Sequence, residues 1–398
     1  MLRALLSDDL PRSRWLAVVL VAIVVGLAIA PFLFPGAKSL NVAAKICVFI
    51  VLAASFDLLL GYTGIVSFAH TMFFGIGAYG VAIALTRLGA DWIAVAAGVS
   101  DAVDGFLAKR FNMASELGAH LDPLADKTLI VSIYVALGIT DAIPRWVVIL
   151  VVSLLLSLVI GLFSLRVRTI FFAMITLAVA SAFAILASQL SDFTGGEDGL
   201  NYRLPAVLRP SFSLIDGTLF GVRLNGRLLD YYLVYVVALV LVLALLRVVN
   251  SPFGSVLMAI RENPFRAEAI GYRTVVYRTL ASCIAAAVAA LAGALLALWS
   301  SQANPDTTLS FDIMVDILLM VVIGGMGTMY GAVIGAVLLV FAQNYLQDVL
   351  AVANKALVGV PLLANLFHPD RWLLWLGVAF ILCIYFFPAG IVGRLRRR

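Results

Sequence analysis

Charged side chains are scarce in this sequence, and their scarcity decides its class. Only 12% of the 398 residues are Asp, Glu, Lys or Arg, whereas 63% are hydrophobic. So little charge excludes an ordinary soluble globular protein, and the apolar runs recur at lengths that cross a bilayer. We therefore predict an all-α polytopic membrane protein, and we expect no nucleic acid among its partners.

Cysteine is also rare. Cys47, Cys283 and Cys383 all lie in apolar runs and lack the spacing of metal ligands. We interpret them as small core residues, which excludes a zinc or redox centre built from cysteine. The first hydrophobic run lacks a small-residue cleavage site after it, so we expect an anchor and not a removed signal.

Twelve apolar runs are long enough to be predicted spans. They cover residues 16–34, 40–60, 64–86, 92–107, 117–140, 144–165, 169–190, 230–248, 280–300, 312–329, 331–347 and 371–388. The run 64–86 is a candidate for a partly re-entrant segment, and glycines could break 312–347. Arginines near both ends of the chain predict cytoplasmic termini by the positive-inside rule, and an even number of spans agrees. The same orientation puts the block 261–278 inside and the polar loop 191–229 outside.

Four aspartates stand out against this apolar background: Asp101, Asp104, Asp122 and Asp126. On helices, the 3.6-residue period would place the first two on one face and the last two on one face of the next helix. Ionisable residues inside membrane segments are functional candidates by default. Converging carboxylates indicate a divalent cation site.

A second polar stretch, 259–272, lies between two predicted spans on the cytoplasmic side. It combines small residues, charges and a glycine, and one hypothesis is a short helix that docks on a soluble partner. An ordinary basic loop is the alternative that composition alone favours.

Several glycine-rich segments recur along the chain: GYTGIVSFAH (61–70), FFGIGAY (73–79), TGGEDG (194–199), GGMG (324–327) and FFPAG (386–390). With these segments and the stretch 259–272, the chain resembles the permease subunits of branched-chain amino-acid ABC importers over about 1–92 and 154–398. The resemblance implies location in the bacterial inner membrane and three kinds of partner: ATP-binding cassette ATPase subunits, a second permease subunit and a periplasmic substrate-binding protein. The substrates implied are branched-chain amino acids, with urea or short amides as the alternative. No Walker motif occurs in the sequence, so ATP hydrolysis belongs to a separate subunit.

In that family the cytoplasmic stretch is the coupling loop, which fits a groove of the ATPase. The resemblance carries this role to Arg261, Glu262, Asn263, Pro264, Arg266, Ala267, Glu268 and Gly271. The glycines at 324, 325, 327, 331 and 335 are interpreted as sites of close helix packing or a tight turn more readily than as substrate contacts. His70 is either a hydrogen-bonded core residue or part of a pathway. Residues 194–199 read as an external turn, near the binding protein or simply solvated.

The segment 93–153 contains the motifs DAVDGFLAK (101–109) and GAHLDPLAD (118–126). With these motifs it resembles a different family, the CDP-alcohol phosphotransferases, and specifically phosphatidylglycerophosphate synthase, although Lys109 stands where Arg is usual. The resemblance implies that Asp101, Asp104, Asp122 and Asp126 bind Mg²⁺ or Mn²⁺ on the pyrophosphate of CDP-diacylglycerol. It also makes Asp126 the general base. The implied nucleotide-binding positions are Gly105, Ala108, Lys109 and Gly118.

These resemblances divide the chain into 1–92, an inserted segment 93–153, and 154–398 with its coupling loop 255–278. The expected fold is about ten permease-type helices plus an inserted two-helix hairpin, which keeps the downstream topology. Only part of the synthase scaffold is visible, and an expected Arg-Asp pair after Ser153 is replaced by leucines. We therefore predict a permease subunit and leave enzymatic activity of the insert open. A natural fusion, a recombination, an assembly artefact and a deliberate graft all fit this pattern, and we favour a graft.

Overall fold

A computed structural model describes residues 14–34, 36–87, 169–219, 222–356, 366–387 and 390–396. The predicted spans 92–107, 117–140 and 144–165 lie outside these residues. Within the described ranges, eight helical segments are long and apolar enough to cross a bilayer, which makes the chain an all-α, multi-pass integral membrane protein. Nine of the twelve predicted spans coincide with helices.

The long helices are α1 (Arg14–Leu33), α2 (Ala37–Asp57), α3 (His70–Arg87), α4 (Thr169–Gln189), α6 (Gly226–Val249), α9 (Thr274–Ser300), α11 (Phe311–Gly324), α12 (Met329–Ala356) and α13 (Trp372–Phe386). The short ones are α5 (Ser191–Thr194), α7 (Pro252–Glu262), α8 (Pro264–Ala269), α10 (Pro305–Thr308) and α14 (Gly390–Arg396). A π-helical segment, Leu58–Thr63, continues α2, and 3₁₀ turns occupy Ala206–Leu208 and Pro369–Arg371.

Two small antiparallel sheets complete the described part. Strand β1 (Leu200–Asn201) pairs with β4 (Gln302–Ala303), so that Leu200 opposes Ala303. Strand β2 (Ser213–Leu219) pairs with β3 (Val222–Asn225). The predicted external loop 191–229 therefore has its own local structure, and β1 fastens it to the end of α9.

Helix α2 is the centre of the bundle. In the span Ala37–Thr63, 89% of the most apolar 18-residue stretch is buried, whereas the corresponding fraction for Trp15–Leu33 in α1 is 11%. A buried helix is apolar on all sides, whereas α1 presents its valines outward, as a lipid-facing helix does. Three tyrosine hydroxyls of α6 hold α1 in place: Tyr231, Tyr232 and Tyr235 donate to backbone carbonyls of Leu27, Ala28 and Val24.

Small residues allow the closest helix contacts. A side chain at Gly77 of α3 would overlap the carbonyl of Ala290 in α9, and one at Gly293 would overlap the carbonyl of Phe74. In lipid, helices associate through such close backbone approach, because no hydrophobic effect drives them together. The same geometry joins α11 to α12, where Gly324 faces the Gly331 carbonyl and Gly335 faces that of Met320. The packing role predicted for these glycines is confirmed.

Where the structure departs from the predicted spans, backbone chemistry gives the reason. The run 64–86 is helical only from His70, and residues 64–67 are neither helix nor strand. The run 312–347 is divided after Gly324 by Gly325 and Gly327, whose φ angles of +118° and +80° no helix accommodates. Cys47 is buried as predicted, whereas Cys283 and Cys383 are half-buried.

Candidate functional site

The aspartates of the predicted metal site, Asp101, Asp104, Asp122 and Asp126, lie outside the described residues. So do Gly105, Ala108, Lys109 and Gly118, the predicted nucleotide-binding positions. Among the residues that are described, no three His, Cys, Asp or Glu side chains come together to hold a metal ion. Both roles therefore stay predictions.

The predicted coupling stretch is a pair of short helices, α7 and α8, joined at Asn263. Asn263 accepts a hydrogen bond on Oδ1 from the Arg266 backbone N–H at 3.1 Å, and Pro264 occupies the first turn of α8. An Asn cap followed by proline is a helix start that the sequence encodes locally. At the other end, Gly271 has a φ of +100°, and the Tyr272 N–H donates to the Ala267 carbonyl at 3.1 Å. The prediction of a short helix here is confirmed.

One side of this helix pair is anchored to the bundle. Leu257, Ile260 and Ala267 are buried. The hydroxyl of Thr274, at the start of α9, donates to Glu268 Oε1 at 2.5 Å, and Phe253 of α7 stacks on Tyr277 of α9 with ring centroids 5.7 Å apart. The pair is therefore held at the foot of α9 as a defined element.

The other side is open and carries large apolar side chains. Phe265 is 82% exposed, Ile270 71% and Tyr272 41%. Exposed aromatic and aliphatic anchors between charged residues are typical of a protein-binding surface. The resemblance assigned roles to the polar and small residues around them and passed over Phe265, Ile270 and Tyr272. The signal was present in the sequence, because a phenylalanine and an isoleucine inside a charged loop have no local core to enter.

Arg261 differs from its neighbours, because its guanidinium turns towards the bundle. It donates a hydrogen bond to the carbonyl oxygen of Gly61 in the π-helical segment. One turn earlier, buried Asp57 accepts a hydrogen bond on Oδ1 from the Gly327 N–H at 2.9 Å. The end of α2, the turn at 325–328 and the coupling helices therefore meet at one point.

A cavity of about 230 Å³ opens at this meeting point. Arg261, Met326, Cys383, Phe387 and Gly390 are among the residues that line it. It lies between α7, the turn after α11, and the ends of α13 and α14. The guanidinium of Arg261 thus has free volume beside it.

His70 begins α3 deep inside the described bundle. Its Nε2 lies 2.8 Å from Ser55 Oγ, its ring meets Phe56 edge-on at 5.4 Å, and it is 1% exposed. Because Ser55 gives its one proton to the Leu52 carbonyl at 2.8 Å, Nε2 is the donor of the pair. Of the two roles considered for His70, the hydrogen-bonded core residue is the one the contacts favour.

The segment before His70 enters the bundle without helical hydrogen bonding. The Phe68 N–H instead donates to Thr176 Oγ1 of α4 at 3.1 Å. Beside it lies a second cavity of about 210 Å³, whose lining includes Phe68, Thr71, Leu309 and Phe311. The non-helical part of the run 64–86 is therefore this segment, and the partly re-entrant path considered for the run stays a prediction.

The opposite end of the bundle carries the predicted external turn. Thr194 is buried and its hydroxyl donates to the Ala187 carbonyl at 2.5 Å, while Gly195, Gly196 and Gly199 have φ angles between +68° and +79°. The hydroxyl of nearby Tyr202 donates to the Ala297 carbonyl at 2.6 Å. Burial raises the pKa of Tyr202 above its ordinary value, so that the phenol stays protonated and remains a donor. The turn is therefore an ordered element.

The neighbouring start of α6 holds a buried ionisable group that the sequence analysis did not single out. Asp230 is 2% exposed. Arg227, one turn earlier, donates to Asn41 Oδ1 at 2.8 Å and stands 4.9 Å from the ring centre of Trp299. These contacts tie α2, α6 and α9 together at this end.

Comparison with known proteins gives two kinds of match. A family model described as branched-chain amino acid transport system, permease component, matches residues 39–108 and 124–366. The high-affinity branched-chain amino acid transport system permease protein LivM of Salmonella typhimurium is 28% identical over 232 residues, 55% of this chain and 54% of the relative. The probable branched-chain amino acid transport permease protein LivM of Methanocaldococcus jannaschii is 24% identical over 355 residues, 86% of this chain and 89% of the relative.

A shorter match points elsewhere. The probable phosphatidylglycerophosphate synthase of Mycobacterium tuberculosis is 38% identical over 86 residues, 22% of this chain and 39% of that protein. In the alignment with LivM of Salmonella typhimurium, the chain spans about half the length of that permease. No solved structure matches the chain significantly. One chain therefore contains a long stretch similar to one family and a short segment similar to another.

Proposed function

The chain belongs to the family of permease components of branched-chain amino acid transport systems, and we propose that it is the transmembrane permease subunit of an ATP-driven importer. The observation that carries the proposal is the α7–α8 pair, with Phe265 and Ile270 exposed between two spans. Its partners are ATP-binding cassette ATPase subunits, a second permease subunit and a periplasmic substrate-binding protein. It works in the bacterial inner membrane with both termini and α7–α8 in the cytoplasm.

In this proposal the ATPase covers the exposed face of α7–α8. Phe265 and Ile270 are the apolar anchors, and Glu262 and Arg266 are exposed beside them. Buried aromatic and aliphatic anchors within a polar rim carry most of the affinity of a protein interface. The roles of Asn263, Pro264, Ala267, Glu268 and Gly271 are then to shape the loop, since their contacts lie within α7–α8 and at the start of α9.

The docking proposal is tested by purifying the tagged chain together with the ATPase subunits of the importer. The double change Phe265→Ser and Ile270→Ser should reduce the ATPase recovered at least about tenfold, because truncating an interface anchor typically costs 2 kcal/mol or more. The control is Leu366→Ser, which removes a 37% exposed side chain six residues before α13 begins, whereas the cavity beside Arg261 is lined by the last residues of that helix. Undiminished recovery of ATPase with the double variant would overturn the proposal.

The substrate we propose is a branched-chain amino acid, on the support of the family and of the relatives' printed names. Right-side-out inner-membrane vesicles that contain ATP and are given the binding protein on the outside should accumulate leucine, isoleucine or valine. Uptake of urea or a short amide in their place would leave the transport proposal intact and change the substrate class.

A second function, CDP-alcohol phosphotransferase, is favoured by one specific observation, the 38% identity to a probable phosphatidylglycerophosphate synthase. Asp101, Asp104, Asp122 and Asp126 would hold Mg²⁺ or Mn²⁺, which neutralises the diphosphate of CDP-diacylglycerol. Asp126 would take the proton of the attacking alcohol. Purified protein given CDP-diacylglycerol and glycerol 3-phosphate should release CMP, and Asp126→Asn should abolish the release. CMP release unaffected by that change, or none from the unmodified chain, would refute this activity.

A further inference from the structure

Arg261 bridges the coupling helices and the core of the bundle. It stands at the end of α7, and its guanidinium donates to the carbonyl of Gly61. Gly61 lies in the last turn of a continuous helical segment from Ala37 to Thr63, where carbonyls lack intrahelical partners and the helix dipole is negative. A guanidinium is well suited to that end, because it brings a permanent positive charge and several donors.

Arg261 also reaches the turn between α11 and α12. A side chain added at Gly327 would come within 2.8 Å of Arg261 Nη1. Gly61, the acceptor of Arg261, also lies against Asp57, because a side chain added at Gly61 would overlap Asp57 Oδ1. Asp57 in turn binds the Gly327 N–H. One side chain of the coupling helix therefore lies against a three-part joint: the π-helical segment at Gly61, the 325–328 turn, and Asp57, which links these two.

The joint is in contact with, or continuous with, helices α2, α3, α11 and α12. Ser55 and Phe56, beside Asp57 in α2, contact His70 at the start of α3. The turn that Asp57 binds connects α11 directly to α12. A displacement of Arg261 would thus act on four helices, and the adjacent 230 Å³ cavity leaves room for that displacement.

We propose that Arg261 is a positioning residue for transport, which transmits movement of α7–α8 to the end of α2 and to the 325–328 turn. The inference rests on the proposed function and assigns Arg261 a role different from that of the docking residues around it. Phe265 and Ile270 bind the ATPase, whereas Arg261 transmits the movement of α7–α8 to the end of α2 and the 325–328 turn.

The test compares variants in the assembled importer, reconstituted in lipid vesicles with its binding protein. Arg261→Gln should keep the ATPase bound and hydrolysing ATP, but transport per ATP should fall about tenfold, within the usual range of coupling between two sites. Stimulation of ATP hydrolysis by the loaded binding protein should fall as well. Arg261→Lys keeps the charge without the planar fork and should give an intermediate ratio.

Asp57→Asn checks the joint itself. It keeps an oxygen for the Gly327 N–H and removes the ionisable carboxyl beside Gly61. If the two residues act together, Arg261→Gln and Asp57→Asn combined should lower transport per ATP by less than the product of the two single effects. A thermal melt of each variant separates this effect from stability, because a merely structural residue would lower the melting temperature and leave the transport-to-ATP ratio unchanged.

Two results would overturn the inference. One is a wild-type ratio of transport to ATP hydrolysis in Arg261→Gln, or in Arg261→Lys if the former does not fold. The other is loss of the ATPase from these variants, which would make Arg261 a docking residue. Failure of the proposed function is distinguishable, because it appears as ATPase retained by the Phe265→Ser and Ile270→Ser variant.

Discussion

Single buried polar side chains matter most in this molecule where no other group can replace their partner. Ser55 and His70 are both buried, and His70 Nε2 has Ser55 Oγ as its acceptor. The pair joins α2 to the first residue of α3, at the point where the preceding segment lacks helical hydrogen bonds. Its role is to fix where α3 begins.

Replacing Ser55 by alanine should therefore destabilise the protein by about 1–3 kcal/mol, the cost of leaving a buried donor without an acceptor. The measurement is a thermal melt in detergent. Ser188→Ala is the matched control, since Ser188 Oγ donates only to the Ala184 carbonyl of its own helix and its removal leaves no buried donor unpaired. Equal melting temperatures for the two variants would contradict the assignment of His70 as a hydrogen-bonded core residue.

Which residues the sequence can reveal depends on how local their partners are. The Asn263 cap and Pro264 belong to a pattern read within four residues, and the helix they begin was predictable. Arg261 was expected to face a partner protein. Its acceptor, Gly61, is 200 positions away, and the Gly327 N–H is 270 positions from Asp57. Such contacts form only when α2, α7 and the 325–328 turn are packed together, so no local sequence pattern predicts them.

At the scale of elements, apolar length predicted most helices and glycine predicted their interruptions. The predicted ends of the helices were less accurate, because a hydrophobic run shows which residues are compatible with lipid and does not show which backbone groups are hydrogen-bonded in a helix. Residues 64–69 are apolar enough to have been included in a span, yet the Phe68 N–H bonds a threonine of another helix. Similarly, α12 continues to Ala356, beyond the predicted run 331–347. Its last turns contain polar residues, which a search for apolar runs does not include.

The contact between α3 and α9 gives an element-scale prediction. Gly293→Leu should prevent the two helices from approaching, because the added side chain meets the backbone of Phe74 and Ala78, which cannot move aside. Extra atoms forced into a well-packed core cost about 1–3 kcal/mol, and an obstacle made of backbone should bring at least that loss.

The measurement is the yield of monodisperse protein and its melting temperature. Gly377→Leu is the control, since nothing lies within 4 Å of a side chain added there. Similar losses for the two variants would mean that α3 and α9 do not pack through these small residues.

At the scale of the whole molecule, orientation decides whether α7–α8 can meet an ATPase at all. In the described part of the chain between Glu197 and Glu262, α6 is the one long helix, so the two positions should lie on opposite sides of the membrane. Four long helices, α9, α11, α12 and α13, separate α8 from α14, which returns the chain to the side of α7. These relations hold whatever the structure of residues 88–168.

The last prediction therefore fixes the absolute orientation. In a variant whose three cysteines are replaced by alanine, Glu197→Cys should react with a membrane-impermeant maleimide in cells whose outer membrane is opened. Glu262→Cys should react only after the inner membrane is broken, because arginines at 247, 261, 266, 273 and 278 favour the cytoplasmic side. Both glutamates are exposed, so neither label is blocked by burial when the chain is expressed without its partners. The reverse pattern would place α7–α8 outside, away from ATP, and would refute the importer proposal as a whole.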